Sequence, residues 1–270
     1  METYGVKAGA AAAAGAGLLQ RCVALLRVLA TAGRRGAALT ALARTTGVSN
    51  STVHRLLAQL IAERLAMKIE DSRRYALGPL AYELGLAATH QFDIRGLCRP
   101  LIEQLASDTA ETVYLIQRSG IEAVCIDLVE GPTPVRVVTL HVGSRRPLGL
   151  GAGGLAILAA LDDDEQRATL AQVQERIAKE WNFPEHVLRE SLQMARATGS
   201  SLIRNRITPG VTAVGRSFKD SLGHVLGAVS VAGVNARMTK ARQATLVQSL
   251  RVATRDIERV LRGQSWARYV

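Results

Sequence analysis

The hydrophobic positions between Leu39 and Leu60 predict two short helices joined by a tight turn. The segment reads LTALARTTGVSNSTVHRLLAQL, and Leu42 follows Leu39 at a helical spacing before Gly47 interrupts the pattern. Ser49 is a favourable cap for the second helix, because its hydroxyl accepts from a backbone N–H that the helix leaves unpaired. The second helix carries one apolar stripe, formed by Val53, Leu56, Leu57 and Leu60. Such a helix-turn-helix places its second helix in the major groove of DNA.

The side chains opposite this stripe have the chemistry needed to contact DNA. Ser51 and Arg55 point most directly away from it, and His54 and Gln59 flank them. Hydroxyl, amide, imidazole and guanidinium groups hydrogen-bond base edges and phosphates. The residues predicted to contact DNA from this helix and its cap are Ser49, Asn50, Ser51, Thr52, His54, Arg55 and Gln59.

The residues that follow the second helix predict a small β-hairpin. In MKIEDSRRYALG, apolar and polar residues alternate on both sides of a polar turn. Arg73 and Arg74 lie near the tip and are predicted to reach backbone phosphates beside the groove. The whole segment is therefore interpreted as a winged helix-turn-helix. The alternative is a hairpin of purely structural role, since helix-turn-helix patterns alone give many false matches.

The distribution of charge agrees with DNA binding without deciding it. The formal net charge is +11, and +6 of it lies within residues 1–90. A basic N-terminal part suits a polyanionic partner. An arginine-rich host composition explains a basic protein equally well.

Cysteine usage and the N-terminal residues indicate a cytoplasmic protein. Cys22, Cys98 and Cys125 are odd in number and form no CxxC motif, which argues against a disulfide framework and a zinc site. Residues 1–17 are rich in Ala and Gly and lack the apolar centre of a signal peptide, so they are interpreted as a disordered tail. No apolar run reaches the roughly 20 residues that a membrane-spanning helix needs.

Two further helices complete the N-terminal half. A first helix, ending near Ala32, is predicted by the spacing of Leu18, Cys22, Leu25 and Leu29. It closes a winged helix-turn-helix domain over residues 18–78. Pro79 then begins a connector helix over residues 79–92, with an apolar side formed by Leu80, Leu84 and Ala87.

Residues 93–270 are predicted to form a second domain that mixes helices and strands. Its first helix has one apolar face, formed by Ile94, Leu97, Leu101 and Leu105. Three strand-like runs follow, ETVYLIQRS, EAVCIDLVE and VRVVTLHV, and the turn-forming residues between them favour an antiparallel meander.

The rest of this domain continues the alternation. A Gly-rich segment at 149–154 leads into predicted helices from about Leu155 to Ala178 and from Pro184 to Ala197. Two more strands are predicted, GVTAVGRSF and VLGAVSVAG, and a terminal helix carries Leu246, Leu250, Ala253, Ile257 and Leu261. The fold class is therefore α+β, a mainly antiparallel sheet layered by helices.

Four sequence blocks resemble the IclR family of bacterial transcriptional regulators, in order and spacing, from about Leu18 to Leu261. They are GVSNSTVHRLLAQL with the wing ending in YALG, RPLGLGAGGLAILAAL, PGVTAVGRSFKD and GAVSVAG. The resemblance implies a GAF-like C-terminal effector domain and a dimer or tetramer that binds operator DNA. It also implies an effector pocket lined by Ala152, Gly153, Ile203, Ala213, Ser230 and Ala232. Arg206 departs from the family, which often has a glutamate there.

The Gly-rich segment has a chemistry of its own. Glycines allow close approach of a ligand, and unpaired N–H groups at a helix start favour an anion such as a carboxylate. A small organic acid is therefore the predicted effector. The resemblance implies that its body is largely apolar, because it places Ile203, Ala213 and Ala232 in the pocket. The alternative is that these glycines serve only to pack the helix closely against the sheet. The segment is neither a phosphate-binding loop nor a dinucleotide fingerprint.

No motif in the chain favours catalysis, a metal site or a cofactor. The sequence has no G-x-S-x-G or H-E-x-x-H motif and no pair of histidines at metal-ligand spacing. The acidic run from Asp162 to Glu165 is interpreted as the cap and first turn of a helix. The chain is thus interpreted as a ligand-responsive regulator. The competing interpretation is a small-molecule enzyme or an acid-binding protein with an incidental helical hairpin.

Overall fold

The computed structural model describes residues 17–134 and 137–262. It divides into two compact units, one of Met1–Phe92 with Gly143–Arg145 and the other of Asp93–Val142 with Arg146–Val270. The predicted N-terminal tail lies, except for Gly17, outside the described residues.

The N-terminal unit is a helical core with a small three-stranded sheet. Its elements in chain order are α1 (Leu18–Thr31), β1 (Ala37–Ala38), α2 (Leu39–Thr46), α3 (Asn50–Ala62), β2 (Ala66–Lys68), β3 (Arg74–Leu77) and α4 (Pro79–Phe92). The sheet has the order β1-β3-β2, and both pairings are antiparallel. The predicted helices and hairpin are therefore present. β1 was not predicted, because two residues carry no periodic signal.

The turn between α2 and α3 forms for the reasons that the sequence suggests. Gly47 adopts a left-handed conformation with φ +67°, which favours glycine and ends α2. The Ser49 hydroxyl accepts from the Thr52 N–H at 3.3 Å and so caps α3. The four apolar residues of the α3 stripe are buried together with Leu25, Leu29 and Leu42. Burial of that stripe fixes which face of α3 is left outside.

The C-terminal unit is a six-stranded sheet with helices on both faces. Its elements are α5 (Ile94–Thr109), β4 (Thr112–Ser119), β5 (Glu122–Val129), β6 (Arg145–Pro147), α6 (Gly151–Ala160), α7 (Asp163–Trp181), α8 (Glu185–Thr198), β7 (Ser201–Arg204), β8 (Val211–Lys219), β9 (Val225–Val234) and α9 (Lys240–Val260). The strand order is β6-β5-β4-β9-β8-β7, and the pairings from β5 through β7 are antiparallel.

Two cores pack against opposite faces of this sheet. One joins α6, α7 and α8 to residues such as Tyr114, Ile116 and Ala232. The other joins α5 and α9 to Val113 and Val229. Neighbours along a strand alternate between the two cores, as the pleat requires. The unit is thus a helix-sheet-helix sandwich.

The third strand-like run of the meander is the main error of the sequence prediction. Residues 137–142 form no strand, residues 135 and 136 lie outside the described part, and the strand that pairs beyond β5 is the short β6. The Tyr114 hydroxyl donates to Val137 O at 2.6 Å and accepts from Thr139 N at 2.9 Å. A side chain from β4 therefore satisfies backbone groups that a ladder would otherwise have paired.

The helix predicted from about Leu155 to Ala178 is two helices, α6 and α7. α6 begins earlier, at Gly151, so the Gly-rich segment forms its first turn. Leu161 is extended, and the Asp162 carboxylate accepts from Glu165 N at 2.8 Å to cap α7. The cap and first turn predicted at Asp162 are therefore present, although the predicted helical bounds from Leu155 to Ala178 did not mark the break before it.

Two smaller differences complete the comparison. The buried face of α5 is rotated from the predicted one: Cys98 and Ile102 are buried, whereas Leu97 and Leu101 lie at its margin. β7 was not predicted, because its four residues precede the clearer pattern of β8. The buried residues of α9 are the predicted ones, including Leu246, Leu250 and Ile257.

Candidate functional site

The outer face of α3 presents most of the side chains predicted to contact DNA. Asn50, Ser51, His54, Arg55 and Gln59 are all exposed. The other two predicted residues of this segment have a local task. The Ser49 hydroxyl donates to the Thr52 hydroxyl at 2.9 Å while it caps the helix. Ser49 and Thr52 thus shape the start of α3, and the remaining five form its outward surface.

The two arginines of the wing occupy different environments. Arg73 is exposed in the turn between β2 and β3. The Arg74 guanidinium instead donates from Nε to Arg35 O at 2.7 Å and from Nη2 to Gly36 O at 3.0 Å. These bonds fasten β3 to the segment that leads into β1. Arg74 therefore has a structural role within the wing, whatever contact it makes with DNA.

This difference separates the expected effects of the two alanine variants. Arg73→Ala should weaken binding to all DNA sequences alike and lower the slope of log K against log salt by about 1, since it removes one phosphate contact. Arg74→Ala should also lower the free energy of unfolding by about 1 kcal/mol, because it removes hydrogen bonds within the wing. Salt titrations of DNA binding and thermal denaturation measure the two effects. An unchanged salt slope for Arg73→Ala contradicts the phosphate contact.

The C-terminal unit contains a cavity between the sheet, the start of α6 and the loop that joins β7 to β8. It encloses about 630 Å³ of space between atoms, counting its mouth. Its lining residues are Tyr114, Ile116, Ala123, Thr139, Leu140, Arg146, Leu150, Gly151, Ala152, Gly153, Gly154, Ile203, Ile207, Thr208, Val211, Ala213, Ser230 and Ala232. All six residues of the predicted effector pocket are among them. The structure thus brings together positions from α6, β7, β8 and β9.

The start of α6 supplies the polar backbone of this cavity. Gly151 has φ +77°, a conformation that favours glycine, and no side chain caps the helix at Leu150. The first N–H groups of a helix have no partner within it. A Cβ at Gly153 would lie 2.7 Å from Ile116 Cγ1, so this glycine also allows α6 to pack closely on β4. The packing role considered from the sequence is therefore real and coexists with a place in the lining.

The side chains of the walls are mostly apolar. Ile203, Ile207, Val211 and Ala213 form one side of the cavity. The Tyr114 hydroxyl is already engaged in two hydrogen bonds with the chain at 137–139. The polar side chains that remain in the described lining are Thr139, Arg146, Thr208 and Ser230.

Arg146 is the charged lining residue that the sequence did not reveal. Its Nη2 donates to Thr139 O at 3.0 Å, and its guanidinium carbon lies 5.2 Å from the centre of the Trp181 ring. Burial lowers the pKa of Arg146 to about 10, against smaller opposing effects of Tyr114 and Cys125. The sequence shows only two adjacent arginines before a proline, and nothing in it distinguishes Arg145 from Arg146.

Arg206 does not belong to the cavity. It is exposed and lines a separate open groove beside α8 and α9, whereas its neighbours Ile207 and Thr208 face the cavity. Arg206 is therefore a solvated surface arginine.

The described lining also bears on chemistry other than binding. It contains no His, Cys, Asp, Glu or Lys side chain. Ser230 therefore has no base among the lining residues that could activate it as a nucleophile. Across the described part of the chain, no group of three or more His, Cys, Asp or Glu side chains is arranged to hold a metal ion. Within the same residues, no helix combines the length and hydrophobicity needed to cross a bilayer.

Comparison with known families decides the identity of both units. Residues 18–68 match the IclR helix-turn-helix domain, and residues 86–259 match the bacterial transcriptional regulator IclR C-terminal domain. The chain belongs to the IclR family. The family resemblance and the α+β fold with an N-terminal winged helix-turn-helix are thereby confirmed.

Several relatives match over most of their length. The transcriptional regulator KipR of Bacillus subtilis is 30% identical over 224 residues, which are 82% of this chain and 88% of KipR. The transcriptional repressor AllR of Escherichia coli is 26% identical over 248 residues, 92% of this chain and 91% of AllR. This chain is accordingly an IclR-family transcriptional regulator with a DNA-binding domain and an effector domain.

Solved structures share the fold. An IclR regulator from Silicibacter sp. TM1040 superposes with a TM-score of 0.73 at 24% identity, covering 90% of this chain and 96% of that one. An IclR homologue from Microbacterium hydrocarbonoxydans, complexed with 4-hydroxybenzoate, gives a TM-score of 0.70 at 21% identity, covering 91% and 99%.

Proposed function

We propose that the C-terminal cavity binds a small organic acid and that this binding alters the affinity of the N-terminal winged helix for operator DNA. The observation that carries the proposal is the open start of α6 within a cavity whose walls are mostly apolar. Partial positive charge at a helix N-terminus stabilises a carboxylate. The Ala152 and Gly153 N–H groups would receive the acid, and the Ser230 hydroxyl would add a further contact. The 4-hydroxybenzoate complex of the Microbacterium homologue supports this class of ligand.

The walls favour an acid with an apolar body over a sugar acid. Ile203, Ala213 and Ala232 offer no hydrogen bonds, and the Tyr114 hydroxyl is already paired. A hydroxyl buried without a partner costs about 1 to 3 kcal/mol, whereas an aromatic ring loses nothing there. A largely apolar or aromatic monocarboxylate is therefore the proposed effector.

The response to the acid requires two states of the protein. A ligand shifts an equilibrium only when it binds one state more tightly than the other. In this proposal, the protein is a homodimer or homotetramer located in the cytoplasm. The acid favours one arrangement of its DNA-binding units over another. The connector α4 would carry the change along the chain, since it joins the two units covalently. The domain limits proposed are 18–78, 79–92 and 93–270.

A thermal-shift screen of the full chain tests the ligand class. Aromatic acids such as 4-hydroxybenzoate should raise the unfolding temperature, whereas sugar acids such as gluconate should not. Ala213→Leu should abolish the shift, because the added atoms fill the cavity. Ala236→Leu is the matched control, since Ala236 is exposed and outside the lining.

The acids that bind should also change operator affinity in an electrophoretic or fluorescence assay. Stabilisation by sugar acids alone overturns the apolar-acid class. Binding that is indifferent to Ala213→Leu places the ligand elsewhere. If the acids bind without any change in operator affinity, the cavity does not regulate DNA binding and the proposal is wrong.

A further inference from the structure

A single charge dominates the electrostatics of the cavity. Arg146 is the one charged side chain in the described lining, and no carboxylate of the described residues forms an ion pair with it. Its Nη2 donates a hydrogen bond to the neutral carbonyl of Thr139. Arg146 is partly withdrawn from solvent. Withdrawing an arginine from water without a counter-ion is costly, because its lost hydration is not replaced by an opposite charge. The residues that line the cavity therefore supply no anion to balance the charge of Arg146.

The position of the guanidinium relative to α6 shows where such an anion would lie. A Cβ built on Gly151 would stand 3.6 Å from Arg146 Nη1 and 3.7 Å from Ile207 Cδ1. Arg146 Nη1 therefore lies beside the first residue of α6, where the unpaired N–H groups of the helix begin. Guanidinium and helix terminus converge on one place. Both stabilise a negatively charged ligand, and both donate hydrogen bonds to it.

We propose that Arg146 is the specificity-determining residue of the cavity: it pairs with the carboxylate of a small apolar monocarboxylic acid and so rejects the neutral amide or ester of the same shape. This inference rests on the proposed function, and it names the group that decides between charged and uncharged ligands. The helix terminus alone carries a partial charge and tolerates neutral acceptors. A guanidinium forms charge-assisted hydrogen bonds, which are roughly twice as strong as neutral ones.

The proposal also predicts a change in the fluorescence emission of Trp181. The guanidinium of Arg146 lies over the Trp181 ring, with the arginine carbon 5.2 Å from the ring centre. A carboxylate that pairs with Arg146 changes the charge next to the indole and should therefore change its emission. The chain has two tryptophans, so Trp266→Phe leaves Trp181 as the sole emitter.

The test compares acids with their primary amides on the full-length Trp266→Phe protein. The probes are benzoate, 4-hydroxybenzoate, phenylacetate and hexanoate, each beside its amide, with binding followed by calorimetry and by Trp181 emission. The acids that bind should do so at least about tenfold more tightly than their amides. Arg146→Gln should weaken acid binding roughly ten- to a hundredfold and abolish the preference over the amide. Arg146→Lys should restore part of it, since lysine keeps the charge but not the planar fork.

Arg189→Gln is the matched control, because it removes the same charge from the exposed face of α8, away from the cavity. Thermal denaturation of each variant shows whether the fold survives loss of the Thr139 bond, and the lysine variant carries the test if the glutamine variant does not fold. Acid affinity that is equal in wild type and Arg146→Gln overturns the inference and leaves the proposed function standing. Amides that bind as tightly as acids overturn it as well. If none of the acids binds the wild-type protein, the organic-acid effector itself is wrong, and this inference falls with it.

Discussion

Arg55→Ala is expected to weaken operator binding by about 1 to 3 kcal/mol, roughly 5- to 150-fold at fixed salt. Arg55 is exposed on α3, directly opposite the buried stripe that begins with Val53. An arginine in that position can donate two hydrogen bonds to one guanine in the major groove, and alanine can donate none. Preference at one base position should therefore be lost together with affinity.

Fluorescence anisotropy with the operator and with single-base variants of it measures both effects. Arg44→Ala is a useful control, because this arginine lies on α2 and the same charge is removed from the same unit. Wild-type affinity and unchanged base preference for Arg55→Ala would falsify the assignment of α3 as the recognition helix. A uniform loss for all sequences would instead make Arg55 a phosphate contact.

The N-terminal unit could be predicted in detail because its signals are local. Gly47, the Ser49 cap and the apolar stripe of α3 lie within a few residues of one another, and each limits the backbone by itself. The terminal helix α9 was predicted for the same reason, since its buried residues follow a regular spacing. Where one face is clearly apolar over several turns, periodicity determines both the element and its orientation.

The errors arise where long-range contacts override the local pattern. The run VRVVTLHV alternates like a strand. However, the hydroxyl of Tyr114, on β4, donates to Val137 O and accepts from Thr139 N. A local pattern cannot show that such a partner exists. The Gly-rich segment was expected to precede a helix and instead forms its first turn, since α6 begins at Gly151.

The candidate site divides in the same way. The six predicted effector positions followed from the family motifs, and they line one cavity in the structure. Arg146 could not be proposed in that way, because the proposal depends on its withdrawal from solvent beside Trp181 and on the absence of a carboxylate partner among the described residues. Charge in a sequence is visible, whereas the loss of its hydration is a property of the fold.

The connector α4 leads to a further expected result, which concerns assembly. Tyr82, Leu84 and Leu86 are 69%, 56% and 52% exposed. Leu18 and Leu19 of α1, in the same unit, are 59% and 76% exposed. A helix that is apolar on more than one side is normally buried, and contiguous exposed apolar surface marks an interface. One recognition helix reads only a few base pairs, so specific operator binding generally needs a second copy on a neighbouring half-site.

The double variant Tyr82→Glu/Leu86→Glu should therefore dissociate the protein and lower operator affinity by roughly a hundredfold or more, because the avidity of two linked half-site contacts is lost. The two residues stand four apart and share one side of α4, so both charges enter the same surface. Leu222→Glu serves as a control, since Leu222 is 71% exposed in the turn between β8 and β9. Light scattering reports the mass of each protein, and footprinting reports the number of half-sites covered.

A wild-type monomer at micromolar concentration with a footprint over one half-site contradicts dimerisation. A double variant that keeps the wild-type mass removes α4 from the interface, because two buried carboxylates without partners could not be accommodated there.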